Sequence, residues 1–373
     1  MTYAERRTGA AVASQGLREY VHIETGRVDW VDYLKGFCIL LVVMLHSVEG
    51  VEKALGQIGW MHIFVEVSQP LRMPAFFLAA GLFFMRNVDR PLDRFIDGKV
   101  LHFAYFYVLW LTIQFAFKAP GMASEGGPMA PLENYLLAFV QPFGTLWFIY
   151  ILPVFFAVTR LVRRIAPEKI LAVAIVLQIM PIHTGSMIID PFASYFVWFF
   201  VGYAYSDQIF RLAEAARNQP VFYFAATVII LAVTWWAATW SLPWTTELLW
   251  PVTDTTQITV SMLPFVSLAL GVAGIVALVS TSVLLANLRL AEFIRWCGAH
   301  SIIIYLAFFL PMAFTRVALL HLGIITDVGT ISLLVWIAAI VGPVVLFWLV
   351  QRTGFGVFLF ERPGWARLER VRQ

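Results

Sequence analysis

The chain has 373 residues, of which 60% are hydrophobic and only 13% are charged, and its formal net charge is +3. Because a soluble domain carries about a quarter charged residues, this composition excludes an ordinary soluble protein. It predicts an all-α, polytopic integral membrane protein, and the 16% aromatic content agrees with that class.

The polar residues 1–29 lack the apolar run of a cleavable signal peptide, and we expect them to form a cytoplasmic segment. Stretches that approach the roughly 20 apolar residues needed to cross a bilayer follow along the chain. We predict ten spanning helices, at residues 32–49, 61–85, 99–118, 145–163, 169–184, 192–210, 221–240, 257–286, 297–320 and 328–350. They define one membrane domain, residues 30–352, followed by a basic cytoplasmic tail, residues 353–373.

The basic residues predict the orientation of this domain. With the N-terminus in the cytoplasm, ten spans place all but four of the 26 lysines and arginines on the cytoplasmic side. This asymmetry favours an orientation with both termini inside. The four exceptions are Lys53, Arg72, Lys118 and Arg316. Because the basic residues are spread along one membrane face, nothing indicates nucleic-acid binding.

The first span carries ionisable residues on one face. Lys35 and His46 are eleven residues apart, almost three helical turns, so both project from one face about 16 Å apart. Asp32 lies within roughly 40° of that face. Imidazole suits proton transfer near neutral pH, and a lysine suits a phosphate-bearing ligand. The separation is comparable to a pantetheine arm, so coenzyme A would anchor its phosphates at Lys35 and present a thioester to His46. The alternative is that Lys35 snorkels to the interface and His46 lies at the outer interface.

The second span contains Glu66 and Arg72. Arg72 lies in mid-span, where burial costs ~3 kcal/mol or more, so we expect it to face a polar cavity. Glu66 is either the ion-pair partner of Arg72 or a general base. Pro70 and Pro74 leave backbone carbonyls that could help to satisfy the guanidinium.

Two further segments are candidates for ligand contact. The loop that contains Arg94 and Lys99 would bind nucleotide phosphates or lipid headgroups, although a plain positive-inside loop is the more common case. The acidic loop TWSLPWTTELLWPVTDTTQ, which contains Trp244, would grip a sugar or, more often, belong to an interfacial aromatic belt. No His, Cys or carboxylate cluster has metal-ligand spacing, and we expect no metal.

Four segments resemble, in the same order, motifs of the membrane acyltransferase-3 family. DYLKGFCILLVVMLHS resembles the opening helix, in which ten apolar positions separate a basic residue from a histidine, here Lys35 and His46. RMPAFFLAAGLFF, residues 72–84, resembles the family's MP-x-FFF-x-SG helix. TLWFIYILPVFF resembles the LWFL segment through Trp147, and WCGAHSIIIYLAFF resembles the GxxSLxIYLxH segment through Tyr305.

The resemblance implies transfer of an acetyl or succinyl group from acyl-CoA to a hydroxyl of a polysaccharide or glycolipid outside the bacterial cytoplasmic membrane. The chain looks closest to exopolysaccharide O-succinyltransferases. The resemblance implies that Lys35 contacts the donor and that His46 is the catalytic residue. We add Asp32, Arg94 and Lys99 to the donor site, and we expect Trp147, Tyr305 and Trp244 to contact substrate. The oligomeric state stays open.

The sequence departs from the family pattern at the predicted phosphate contact and at two positions where the family has histidine. Lys35 stands where arginine is usual, which keeps the charge but loses bidentate phosphate binding. Ala307 and Phe308 replace the histidine that follows IYL in the family, and Thr145 stands where histidine is frequent. His46 is therefore the main acid–base candidate.

Two mechanisms and a rival function remain open at this stage. His46 acts as general base on the acceptor hydroxyl or forms a covalent acyl-imidazole. Arg72 would stabilise the oxyanion, with Glu66 as a further catalytic candidate. The rival is a transporter or flippase of a lipid-linked saccharide. Transporters commonly show related halves, whereas the intramembrane charges here concentrate in the first two spans, which favours the enzyme.

Overall fold

The computed structural model describes residues 28–242 and 259–368. This part of the chain is helical, apart from an isolated β-bridge between Ser241 and Thr259, which confirms the all-α prediction. Its fifteen α-helices are α1 (Asp29–Leu55), α2 (His62–Gly81), α3 (Leu92–Ile96), α4 (His102–Gly126), α5 (Ala130–Leu137), α6 (Trp147–Val162), α7 (Pro167–Ile179), α8 (Ile189–Ala204), α9 (Ser206–Asn218), α10 (Pro220–Thr239), α11 (Pro264–Leu288), α12 (Glu292–Ala299), α13 (Ser301–Ala307), α14 (Phe309–Leu322) and α15 (Val328–Thr353).

Local sequence explains where several helices begin and end. Gly56 ends α1 in a left-handed conformation (φ 66°), and its N–H donates to the Glu52 carbonyl at 2.8 Å. Asp327 caps α15, since its carboxylate accepts from the backbone N–H of Thr330 at 2.6 Å. The Thr330 hydroxyl, the same N–H and the Trp60 indole all donate to Asp327, so they lower the pKa of its carboxyl.

Multiple membrane spans are confirmed, whereas the count of ten is not settled. Seven helical runs of the described residues are long and apolar enough to cross a bilayer, and one of them continues from α3 through a π-helical turn into α4. The pair α13 and α14, bent by 49°, makes an eighth candidate. The predicted fifth and sixth spans correspond to α7, with 13 residues, and α8, with 16 residues. Both are shorter than the roughly 20 residues of a full span, so the number of spans and the orientation stay predictions.

Helices α1 and α2 form the centre of the molecule. Helix α1 packs against α2, α11, α12 and α15, and α2 also packs against α8 and α11. At the crossing of α1 and α12 the backbones touch, because a Cβ added to Gly298 would lie 1.6 Å from the Asp32 carbonyl oxygen. A Cβ added to Gly36 would likewise lie 2.0 Å from the Ile294 carbonyl oxygen. Only glycine permits this approach, which fixes the Lys35 end of α1 against its neighbour.

The residues that follow α15 return to the membrane domain. Trp110 of α4 donates its indole N–H to the Leu359 carbonyl at 3.1 Å. Arg362 forms a buried ion pair with Asp97 in the π-helical turn before α4. This part of the predicted tail is therefore packed onto the beginning of α4.

Candidate active site

One uninterrupted helix carries both Lys35 and His46. Helix α1 has no break between Asp29 and Leu55, so the predicted spacing of about 16 Å along one face holds. Both side chains are partly exposed. Cys38, Ile39 and Val42, which lie between them on this face, are buried. Lys35 and His46 therefore lie at the two ends of a strip of buried apolar side chains on α1.

Phe308 supports the His46 ring. The two rings stack, with centroids 5.6 Å apart and planes inclined by 22°. Phe308 occupies the bend between α13 and α14, in the region where the resemblance leads one to expect a histidine. In this chain an aromatic face orients the imidazole where a second histidine would have offered a proton relay.

Arg72 is buried in α2 and directs its guanidinium to its own helix. Its Nη1 donates to the Val65 carbonyl at 2.8 Å and to the Ser68 hydroxyl at 3.1 Å, while its buried Nε–H has no partner among the described residues. The carbonyl it uses is not one of those that Pro70 and Pro74 deprive of a helical donor. Arg72 and Lys118 are close enough for their charges to act on His46. Arg72 and His46 are therefore near each other, and the role of Arg72 at the oxyanion stays a prediction.

Glu66 lies elsewhere than beside Arg72. Its Oε1 is 3.5 Å from His62 Nε2, and the other ring nitrogen, Nδ1, is 2.8 Å from Glu52 Oε2. The acid whose charge acts on Arg72 is Glu49, three residues after His46 on α1. An ion pair between Glu66 and Arg72 is therefore not observed, and a role of Glu66 in proton transfer would have to act through His62.

The predicted donor residues lie in two groups. Asp32 is buried and its carboxylate is 3.5 Å from Lys35 Nζ, so the two form an ion pair on α1. Lys99 places its ammonium 4.6 Å from the ring centroid of Phe156, whereas Arg94 is exposed. The polar contact that the structure gives Lys35 is with Asp32, and no described contact joins it to Arg94 or Lys99.

The predicted substrate residues differ in their environment. The ring centroids of Trp147 and Tyr195 are 5.7 Å apart, and Tyr195 lies near Arg72, so this aromatic pair lies beside the site. Tyr305 is buried, and its hydroxyl donates to the Thr145 carbonyl at 2.5 Å, so it holds the beginning of α6. Trp244 lies outside the described residues.

Several polar residues of the site were not predicted as such. Gln114 of α4 donates to the Thr145 hydroxyl at 3.4 Å, and its own carbonyl oxygen is buried with no partner in the part of the chain that the structure describes. The charge of Lys118 acts on His46, the charge of Glu49 acts on Arg72, and Tyr195 lies near Arg72. Lys118 and Glu49 carried a signal, an ionisable group in or near a span, but the sequence does not show that they converge on His46. Within the described ranges, no group of three His, Cys, Asp or Glu side chains has metal-binding geometry.

Comparisons with known proteins concern most of this domain. The family model of the acyltransferase-3 family, described as an acyltransferase domain, matches residues 28–352. The "Inner membrane protein YcfT" of Escherichia coli (strain K12) is 26% identical over 161 residues, which cover 37% of this chain and 44% of that protein. The matched region therefore spans less than half of this relative. No solved structure matches the chain.

Proposed function

We propose, from the premise that the chain belongs to the acyltransferase-3 family of membrane proteins, that it transfers an acetyl or succinyl group from acyl-CoA to a hydroxyl of an extracytoplasmic polysaccharide or glycolipid. The observation that carries the proposal is the proximity of a partly exposed His46, stacked on Phe308, to a buried Arg72 whose Nε–H has no partner within the described ranges. Acyl transfer requires a group that moves the proton and a hydrogen-bond donor that stabilises the oxyanion, and His46 and Arg72 could supply these two parts.

In the general-base mechanism, His46 accepts the proton of the acceptor hydroxyl while the oxygen attacks the thioester carbonyl carbon. The C–O bond forms, the C–S bond then breaks, and the imidazolium returns the proton to the leaving CoA sulfur. The Arg72 Nε–H would donate to the oxyanion of the tetrahedral intermediate. The alternative is that His46 attacks the thioester first and forms an acyl-imidazole, which the acceptor hydroxyl then attacks.

Donor entry from the Lys35 end requires a movement of the protein. Lys35 would hold CoA phosphates, with Arg94 and Lys99 on the same predicted cytoplasmic side and Asp32 orienting Lys35 at 3.5 Å. Because Cys38, Ile39 and Val42 are buried along the face between Lys35 and His46, a pantetheine arm has to separate α1 from its neighbours. We place the protein in a bacterial inner membrane, in agreement with the name of the relative in E. coli.

The test is NMR of surface polysaccharide from a deletion strain complemented with wild type, His46→Ala or His321→Ala at equal membrane expression. His321 is an exposed histidine at the end of α14 and serves as the matched control. We expect wild type and His321→Ala to restore acetyl or succinyl signals, and His46→Ala to lose them. Equal restoration by all three would remove His46 from catalysis. A change in export without a change in acylation would favour the lipid-linked saccharide transporter.

A further inference from the structure

Two cations outside the predicted site meet at the His46 end of α1. Lys118 lies eight residues before the end of α4, and its ammonium is 4.3 Å from the ring centroid of Phe143 and 4.5 Å from that of Phe309. Arg316 of α14 donates from Nη1 to the Gly50 carbonyl at 3.0 Å, one turn beyond His46. The charge of Arg316 acts on Lys118, and that of Lys118 acts on His46.

Neither cation is neutralised by the part of the chain that the structure describes. The contacts of Lys118 are two aromatic faces, and the hydrogen bond of Arg316 goes to a backbone carbonyl. Two partly buried side chains of the same charge repel each other more strongly than they would in water. An arrangement of this kind gains stability when an anion joins it.

The simplest other explanation is that both side chains snorkel to the membrane surface, and the geometry argues against it. A snorkelling side chain extends towards water, whereas Lys118 is held between two rings and Arg316 turns inward to α1. The distribution of charge points the same way. Of the four basic residues predicted on the non-cytoplasmic side, Arg72, Lys118 and Arg316 all converge on the His46 region, and Lys53 is the fourth.

We propose that Lys118 and Arg316 bind a carboxylate carried by the substrates, next to the reacting atoms. This inference rests on the proposed acyl transfer. It adds that either the transferred acyl group or the acceptor saccharide is negatively charged. The carboxylate has two possible sources. It is either the distal carboxylate of a dicarboxylic acyl group such as succinyl, or the acid group of an acidic sugar in the acceptor. Phe308 and Phe309 would pack against the apolar carbons that carry it.

Ligand-dependent thermal stabilisation of the purified protein tests binding without any requirement for catalysis. The probes are sodium succinate and sodium glucuronate, with sodium chloride at equal ionic strength as the reference. The variants are Lys118→Met, Arg316→Met and, as a matched control, Lys53→Met at an exposed position. We expect one of the two anions to raise the unfolding midpoint of wild type and Lys53→Met, and to leave that of Lys118→Met and Arg316→Met unchanged.

The outcome identifies the source of the carboxylate. Stabilisation by succinate points to the acyl group, and stabilisation by glucuronate alone points to the acceptor. If neither anion acts on wild type, or if both Met variants respond like wild type, the proposal is overturned. Should a Met variant fail to fold, Lys118→Arg and Arg316→Lys keep the charge, and we expect them to retain the response.

Release of CoA thiol separates this inference from the proposed function. With the acyl group as the source, Lys118→Met should lower kcat/KM for succinyl-CoA about tenfold more than it lowers kcat/KM for acetyl-CoA, because only the succinyl group loses a carboxylate contact. Wild type that binds the anion but releases no CoA from either donor would contradict acyl transfer and leave the anion site intact. Wild type that releases CoA, with Lys118→Met equal to it on both donors and on acidic and neutral acceptors, would contradict the anion site alone.

Discussion

The hydrogen bonds of Arg72 indicate which of its nitrogens would stabilise the oxyanion. One nitrogen is occupied by the Val65 carbonyl and the Ser68 hydroxyl, which leaves the buried Nε–H for a ligand. We expect Arg72→Lys to fold but to lower kcat for CoA release about 100-fold, because one ammonium cannot replace both the anchor and the free donor. The control is Arg86→Lys at an exposed position. A variant with normal kcat and a lowered unfolding midpoint would make Arg72 structural.

Tyr305 was predicted to contact substrate, whereas its hydrogen bonds indicate that it positions the backbone at the beginning of α6. Its buried hydroxyl donates to the Thr145 carbonyl and accepts from the Ile149 N–H at 3.4 Å. Tyr305→Phe should therefore cost about 1–3 kcal/mol of stability, because the Thr145 carbonyl loses its donor. We expect the acceptor KM to stay within about twofold of wild type. Tyr150→Phe, which removes an exposed hydrogen bond, is the control. A raised acceptor KM at an unchanged midpoint would instead indicate substrate contact.

Single residues were predictable from the sequence where one helix alone determines the geometry. The face shared by Lys35 and His46 follows from the period of the α-helix, and α1 preserves it. The partner of Arg72 was not predictable in this way, because both a carboxylate and a carbonyl were within reach along the chain. The approach of Lys118 to His46 depends on how the end of α4 lies against α14, which no local pattern contains.

At the scale of elements, the crossing of α1 and α12 positions the donor end of the site. Gly298 lies against the carbonyl of Asp32, the ion-pair partner of Lys35. Gly298→Ala should force the helices apart, lower stability by about 1–3 kcal/mol and raise the KM for acyl-CoA. Gly121→Ala in α4 is the matched control, since an added Cβ there meets nothing within 4 Å. If the two variants had the same free energy of unfolding and the same KM for acyl-CoA, the crossing of α1 and α12 would not position the acyl-CoA end of the site.

The elements also show which part of the fold the sequence could not define. Long apolar runs identified α1, α2, α10, α11 and α15 well, because length and hydropathy decide them. The stretches around α7 and α8 are apolar for nearly a full span, yet their helices end after 13 and 16 residues. Hydropathy measures where a segment is apolar, and tertiary packing decides how much of it is helical.

At the scale of the whole molecule, the side of the membrane on which the loop between α7 and α8 lies distinguishes ten spans from eight. His183→Cys in this loop should react with a membrane-impermeant maleimide in intact cells if both helices cross the membrane. The native cysteines, Cys38 and Cys297, are buried, so wild type is the unlabelled control. Glu125→Cys should be labelled from outside, and Glu168→Cys only after permeabilisation, if the N-terminus is cytoplasmic. Protection of His183→Cys until permeabilisation would contradict ten spans and leave eight.

The arrangement of the whole molecule gives α1 two ends with different chemistry, one for a phosphate-bearing donor and one for proton transfer. The most direct test of this view is release of CoA thiol by the purified protein in lipid nanodiscs, supplied with acetyl-CoA or succinyl-CoA and a saccharide acceptor. We predict that wild type and His321→Ala release thiol and that His46→Ala is slower by about 1,000-fold. Release by His46→Ala at the wild-type rate would contradict the assignment of His46, and the absence of release by wild type with either donor would contradict acyl transfer from CoA.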